Sequence, residues 1–101
     1  MNMTSSPTVD LETFARTAAD TAMRGAADYL TSQGTLDAFR HNAAACERLI
    51  QAIRRTVRET LDSALDDAKA AIDAHMAGAA AATFVASMRL AGIAAAKEVT
   101  A

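Results

Sequence analysis

The longest run of regularly spaced apolar residues in the chain lies between residues 35 and 76. Its larger apolar side chains recur about every 3.7 residues, which is the spacing of one face of an α-helix. The pattern predicts one long amphipathic helix over residues 35–76, because no proline or glycine interrupts it before Gly78. The residues of this face that we expect at an oligomer interface are Cys46, Ile50, Ile53, Val57, Leu61, Leu65 and Ile72.

A shorter apolar stripe predicts a first helix over about residues 8–32. Pro7 after Ser6 is a favourable helix start, and Gly34 favours a left-handed cap at the other end. Gly25 either weakens the middle of this helix or permits another helix to cross it closely. A connection this short predicts that the first two helices pack as an antiparallel hairpin. The stripe consists of Leu11, Phe14, Ala18, Ala22, Ala26, Tyr29 and Leu30.

The last part of the chain predicts a third, alanine-rich helix over residues 79–97. We expect Gly78 to kink the chain or to end the second helix, and the pattern leaves both choices open. Arg89 is the only charged residue between Asp73 and Lys97. A helix that is apolar all round is buried or meets a non-aqueous surface, whereas a mid-helix arginine argues against a membrane span. The residues expected at a hydrophobic surface or partner are Phe84, Val85, Met88, Leu90 and Ile93.

Composition supports an all-α fold in a single domain over residues 1–101. The chain has 27 alanines, and Leu, Ile, Val and Phe together number only 18. Alanine favours helix but buries little area, so a chain of this length has few large side chains with which to build a core. We therefore expect the helices to assemble as a helical-bundle oligomer.

Charge changes sign along the long helix. Residues 40–58 hold five arginines and one acid, whereas residues 59–73 hold five acids and one lysine. Two copies packed antiparallel about residue 58 would place each basic half beside an acidic half, which favours a two-fold homodimer. The alternative is that each run is only a solvated helix face. The residues expected to set the register are Arg48, Arg54, Arg55, Arg58, Glu59, Asp62, Asp66 and Asp67.

Motifs for catalysis or cofactor binding are absent from the sequence. It contains no glycine-rich phosphate loop, no metal-binding His-Glu motif and no nucleophile elbow, so we expect no catalytic residue, no metal and no cofactor. The single cysteine, Cys46, excludes a disulfide within the chain. Residues 1–8 lack the features of a secretory signal, and we expect a cytoplasmic protein.

Two segments resemble the phasins, small alanine-rich helical proteins that coat polyhydroxyalkanoate granules in bacteria. They are FRHNAAACERLI, which begins at Phe39, and RETLDSALDDAKAA, which begins at Arg58. The resemblance covers about residues 36–76, and it implies an amphipathic surface rather than catalytic residues. It also implies association with a storage granule.

We therefore expect a non-enzymatic oligomeric helical protein that coats or organises a hydrophobic surface, such as a polymer or lipid granule. One alternative is a self-assembling adaptor or scaffold module that binds another protein. A second alternative is a nucleic-acid-binding helical dimer, in which the arginines contact phosphates. The sequence pI of about 5.5 argues against nucleic acid.

Overall fold

Four α-helices make up most of residues 11–101, the part of the chain that the computed structural model describes. They are α1 (Leu11–Ser32), α2 (Leu36–Arg40), α3 (Ala43–Asp73) and α4 (Ala77–Thr100). No strand occurs among these residues, so the all-α prediction is confirmed. The helix start expected near residue 8, with Pro7 in its first turn, lies outside the described residues.

Helices α1 and α4 run in the same direction. The rings of Phe14 and Phe84 stack with their centroids 4.8 Å apart, and further along both helices Lys97 Nζ lies 5.8 Å from the centroid of the Tyr29 ring. The contacts therefore advance together along the two helices. Stacked aromatic pairs at this distance are favourable beyond the area that they bury.

Helix α3 runs antiparallel to α4. Arg55, in the first half of α3, pairs with Glu98 at the end of α4, whereas Asp67 further along α3 shares a groove with Ser87. Because α1 is parallel to α4, it is antiparallel to α3 as well. The three long helices form one bundle with a single hydrophobic core.

Small side chains fill most of this core. The predicted stripe of α1 lies in it, with Ala18, Ala22, Ala26 and Leu30 buried and its three other members packed against their edges. The largest fully buried side chains are Phe84, Leu30, Ile53 and Met88. Since alanine contributes little area, the helices must lie close together for such a core to be stable.

Two glycines permit this close approach between α1 and α4. A Cβ atom on Gly25 would lie 2.5 Å from the carbonyl oxygen of Arg89, and one on Gly92 would lie 2.6 Å from the carbonyl carbon of Ala22. Neither position can hold a larger residue without moving the backbone. Of the two roles that the sequence allows for Gly25, the structure shows the close crossing.

The prediction of one unbroken helix over residues 35–76 is wrong, because the chain breaks at His41 and Asn42. Asn42 has extended backbone angles, and its side chain accepts a hydrogen bond from the Ala45 N–H at 3.0 Å. This is an N-cap, which starts a new helix by satisfying one of its free donors. Asparagine can therefore interrupt a helical pattern that contains neither proline nor glycine.

The turn between α3 and α4 is also not where the sequence placed it. The chain reverses at Ala74–Met76, whereas Gly78 lies in the first turn of α4. His75 takes the left-handed conformation with φ of 63°; its N–H bonds the Ile72 carbonyl and the Met76 N–H bonds the Ala71 carbonyl. This is a Schellman cap. The same pair of bonds closes α1, where Gly34 is the left-handed residue, as predicted.

These breaks remove the overhang that a helix over residues 35–76 would have, which at 1.5 Å per residue would span roughly 60 Å. Helix α3 has 31 residues, and the structure measures 50 × 23 × 21 Å. The bundle is therefore about as long as its longest helix, and α3 is covered along its length by the other two long helices.

We expect Gly92→Ala to lower the free energy of unfolding by about 1–3 kcal/mol, because the added methyl group overlaps the α1 backbone. Gly78→Ala is the matched control: a Cβ atom there meets nothing within 4 Å, and alanine favours helix. Denaturant unfolding of both variants checks this. Equal stability of the two variants would contradict the close crossing.

We expect His75→Gly to raise the free energy of unfolding by about 0.5–1 kcal/mol, because glycine adopts the left-handed conformation without strain. Gly34→Ala, at the equivalent position after α1, should lower it by a similar amount. Thermal unfolding of the two variants measures both shifts. A loss of stability in His75→Gly would show that the histidine side chain itself stabilises the turn.

Candidate association surfaces

One side of α4 faces away from the bundle and is apolar. Leu90 is 64% exposed and Val85 is 43% exposed, and the two side chains lie on the same side of the helix. We call this surface the apolar face, and it consists of Ala81, Ala82, Val85, Ala86, Leu90 and Ile93. Contiguous apolar surface of this kind marks a place where proteins meet partners or non-aqueous surfaces.

Arg89 lies beside the apolar face, but its charge is held to one side. Its Nη2 atom donates a hydrogen bond of 2.6 Å to Asp28 Oδ2 on α1. The guanidinium group is therefore drawn towards the neighbouring helix, and the aliphatic stem is left along the face. This arrangement leaves the middle of the face without an unpaired charge.

Only part of the residue set that the sequence assigned to this surface lies on it. Val85, Leu90 and Ile93 do, whereas Phe84 and Met88 are 1% and 0% exposed and belong to the core. The physical reason is that α4 contacts α1 with one side and α3 with another. Some of its larger residues are therefore buried in the core, and the others stay exposed to solvent. Phe84 stacks on Phe14 and cannot reach a partner in this structure.

Among the described helices, α4 alone is long and apolar enough to cross a membrane by length and composition. Of its most apolar stretch, 39% is buried inside the bundle. The core helix of a globular protein has the same properties, so this feature is weak support for a span. No membrane span is needed to explain the composition of α4.

The apolar stripe of α3 that the sequence assigned to an oligomer interface is largely used within the chain. Ile53 and Val57 are buried, and neither is free to meet a second copy. Leu61, Leu65 and Ile72 are half-buried and pack against the core. Cys46 and Ile50 are half-buried too. The stripe therefore packs mainly within the bundle, and only its half-buried members keep some exposed surface.

The charged residues of α3 are exposed, and seven of them have no ion-pair partner within residues 11–101. Three are basic (Arg48, Arg54 and Arg58) and lie in the first half of the helix. Four are acidic. Glu47 lies near the start of the helix and accepts a hydrogen bond from Gln51, and the other three, Asp62, Asp66 and Asp67, lie in the second half.

Other charged residues in the described part of the chain are paired where helical spacing allows it. Arg16 pairs with Glu12 and Arg24 pairs with Asp20, both at 3.3 Å and four residues apart. Lys69 pairs with Asp73 at 3.2 Å in the same way. On α3, Arg58 and Asp62 have this same spacing of four residues but form no ion pair within residues 11–101.

Arginines also line a groove between α3 and the end of α4, together with Gln51, Ala52, Glu98 and Val99. Arg55 donates a hydrogen bond to Glu98, and this bond and the charge of Glu98 raise the pKa of Arg55 above its ordinary value. Guanidinium groups bind carboxylates and phosphates in the same bidentate way, so the groove can hold either kind of anion. The other arginines that line it are Arg48, Arg54 and Arg58.

The charge reversal on α3 lies at the same level along the bundle as the apolar face on α4. The Thr56 hydroxyl donates to the Ala91 carbonyl at 3.0 Å, which fixes how the two helices are aligned. Thr60 and Ser87 line one groove between these helices, next to Leu90. The point where α3 changes from basic to acidic and the middle of the apolar face therefore share a level along the bundle, although the face itself is lined by α4 residues alone.

The single cysteine and the two histidines lie at a contact between helices and in turns. Within residues 11–101 no group of three or more His, Cys, Asp and Glu side chains could hold a metal ion. The Cys46 thiol donates to the Phe39 carbonyl at 2.9 Å and joins α3 to α2. His41 and His75 lie at opposite ends of α3, in the two turns that flank it.

Sequence reasoning missed the acids that pair across helices. Glu98 meets Arg55 from 43 positions away, and Asp28 meets Arg89 from 61 positions away. No spacing rule within one helix identifies such pairs, because they depend on how the helices align. The sequence did indicate the contact between α1 and α4 at Gly25, for which a close helix crossing was one of the two expected roles.

Comparison of the chain with protein-family models, with curated proteins and with solved structures gave no match.

Proposed function

We propose that this protein is a non-enzymatic helical protein that coats or organises a hydrophobic surface, in the manner of the phasins that its sequence resembles. The observation that carries the proposal is the apolar face, where Leu90 and Val85 are exposed on a helix whose other side is packed in the core. Adsorption buries this face without unfolding the bundle.

The expected strength of one such contact is small. Burying a Leu or Val side chain fully is worth about 1.5–3 kcal/mol, and these two residues are only partly exposed. A single chain therefore gains a few kcal/mol at most, before the loss of translational freedom is counted. Stable coating requires many linked copies, which supports an oligomer as the working form.

On a lipid or polymer surface, α4 would lie along the surface rather than cross it. Crossing requires Phe84 and Met88 to leave the core and Arg89 to leave Asp28. Lying flat requires neither change, because the apolar face already points outward. The proposed location is therefore the cytoplasm and the surface of a storage granule within it.

A self-assembling scaffold that binds another protein is the second candidate. The observation in its favour is the set of unpaired charges on α3, since charges of both signs on one helix fit a protein partner better than a neutral polymer. Nucleic-acid binding through the arginine-lined groove stays a prediction. Its signature is retention on DNA that weakens steeply with salt.

We expect Leu90→Glu to reduce adsorption of the purified protein to polyhydroxybutyrate particles by at least about 10-fold, because a charge in the middle of the apolar face must be desolvated. Met76→Glu is the matched control. Met76 is 55% exposed but lies in the turn before α4, outside the apolar face. Co-sedimentation with the particles measures the bound fraction.

Circular dichroism of both variants should match the parent, because each substitution is at an exposed position. The proposal is wrong if the parent protein stays in the supernatant. It is also wrong if Met76→Glu and Leu90→Glu lose adsorption equally, since binding would then not depend on the apolar face.

A further inference from the structure

We propose that the arginine-lined groove between α3 and the end of α4 binds a small anion with two or three linked phosphate groups, and that Glu98 competes with this ligand for Arg55. The groove is lined by α3 and the last turn of α4, whereas the apolar face ends earlier on α4, at Ile93. The inference is therefore independent of the proposed coating function, and either one can fail without the other.

Three of the four arginines in the groove have no ion-pair partner within residues 11–101. They are Arg48, Arg54 and Arg58. The fourth, Arg55, has two partners, because its Nη2 atom bonds Glu98 and its Nε atom lies 3.8 Å from Glu59 Oε2. The groove therefore holds three guanidinium charges that no acid of the described chain pairs with.

The sequence supplies no acid along the helix for two of these arginines. Arg48 and Arg54 have no Asp or Glu three or four positions away in either direction. Arg58 does have one, Asp62, four residues later, but it forms no ion pair with it and lines the groove. Arg54 and Arg58 also repel each other, since like charges four residues apart destabilise a helix. A bound anion would replace this repulsion by attraction.

Glu98 shows that the groove can hold an anionic group. Its carboxylate accepts a hydrogen bond from Arg55, and the two side chains are 49% and 44% exposed, so that solvent reaches both. An incoming anion can therefore displace Glu98 without opening the core. Guanidinium groups bind phosphate with the same bidentate geometry as carboxylate, so Arg55 can exchange Glu98 for a phosphate group.

Charge and length indicate a ligand with more than one phosphate. A phosphate monoester carries a charge of about −1.5 to −2 at pH 7, which is too little for three guanidinium groups. From Arg48 to Arg58 the helix rises about 15 Å, at roughly 1.5 Å per residue. A chain of two or three phosphates carries more charge and extends along this span. The groove has a volume of about 570 Å³, which is within the range of sites for small ligands.

A long polyanion fits this surface less well. The helix becomes acidic directly after the groove, where Asp62, Asp66 and Asp67 lie exposed and unpaired within residues 11–101. A nucleic acid laid along α3 meets these acids as well as the arginines, and like charges repel it. None of the residues that line the groove is aromatic, so single-stranded bases have nothing to stack on. A small ligand avoids the acids, because the groove ends on α3 at Arg58.

The test is isothermal titration calorimetry of the full chain with sodium pyrophosphate, at neutral pH in a chloride buffer without phosphate, sulfate or magnesium. The parent protein should bind pyrophosphate at least about 10-fold more tightly than inorganic phosphate, because the second phosphate reaches further arginines. The double variant Arg54→Gln/Arg58→Gln should weaken pyrophosphate binding about 30-fold or more, since two charge-assisted contacts are lost.

Arg16→Gln/Arg24→Gln is the matched control. It removes the same charge from exposed positions on α1, which does not line the groove, and it should bind pyrophosphate as the parent does. Circular dichroism should show the parent's helix content in both double variants, because all four positions are exposed. A parent that does not bind pyrophosphate overturns the inference. An equal loss in the two double variants also overturns it, since net charge alone would then explain binding.

Glu98→Gln tests the competition. This variant should bind pyrophosphate about 5-fold or more tightly than the parent, because a neutral side chain no longer competes with the ligand for Arg55. Unchanged or weaker binding overturns the role of Glu98 as a competitor.

Two further ligands identify the source of the phosphates. Tighter binding of ADP than of pyrophosphate assigns a nucleotide to the groove, and equal or weaker binding assigns an inorganic ligand. A short DNA duplex that binds through the same arginines more tightly than pyrophosphate overturns the inference in favour of nucleic acid.

Adsorption to polyhydroxybutyrate particles separates this inference from the coating function. Arg54→Gln/Arg58→Gln should adsorb as the parent does, and Leu90→Glu should keep its pyrophosphate binding, because the groove and the apolar face share no lining residue. A protein that binds pyrophosphate but never adsorbs overturns the coating function alone, and one that adsorbs without binding pyrophosphate overturns the phosphate site alone.

Discussion

Helices α1 and α4 come close enough for backbone to meet backbone where Gly25 lies against Arg89 and Gly92 lies against Ala22. The rest of the bundle depends on this contact. Each alanine buries little apolar area and so contributes little free energy to folding. A core made mostly of alanine is therefore stable only if the helices lie near enough for the alanine side chains to make direct contact and exclude water. The glycines permit that distance, and Phe84 and Met88 fill the space that remains beside the crossing.

The same crossing determines what α4 presents to solvent. Its side towards α1 and α3 carries Phe84, Met88 and a row of small residues, and these leave no large side chain to cover the opposite side. Val85 and Leu90 therefore stay exposed. A bundle of three long helices covers only part of the circumference of α4. The apolar side chains that it leaves uncovered form the apolar face.

Much of this fold follows from sequence pattern. The 3.6-residue period predicts three long helices, and Gly34 predicts the left-handed end of the first. The breaks at Asn42 and His75 do not follow, because each depends on a residue that also occurs within helices. An asparagine that caps a helix and a histidine in the left-handed region are recognisable only from backbone angles and hydrogen bonds.

The association surfaces were predictable to a smaller extent. The pattern identified Val85, Leu90 and Ile93 along with Phe84 and Met88, since a helix that is apolar all round does not show which side its neighbours cover. Charge order along α3 was readable from the sequence, but which charges lack partners was not. The pairing of Arg55, for example, depends on Glu98, which lies 43 positions later in the chain and forms an ion pair with it.

Consistency between local and global preferences is the general rule for folded chains, and departures from it concentrate at functional sites. Most of this bundle obeys the rule, with helical ion pairs in α1 and caps at the ends of α1 and α3. The apolar face of α4 departs from it, because Val85 and Leu90 stay exposed on a helix whose other side is packed in the core. Contact with a surface or a partner would bury these side chains and remove the departure.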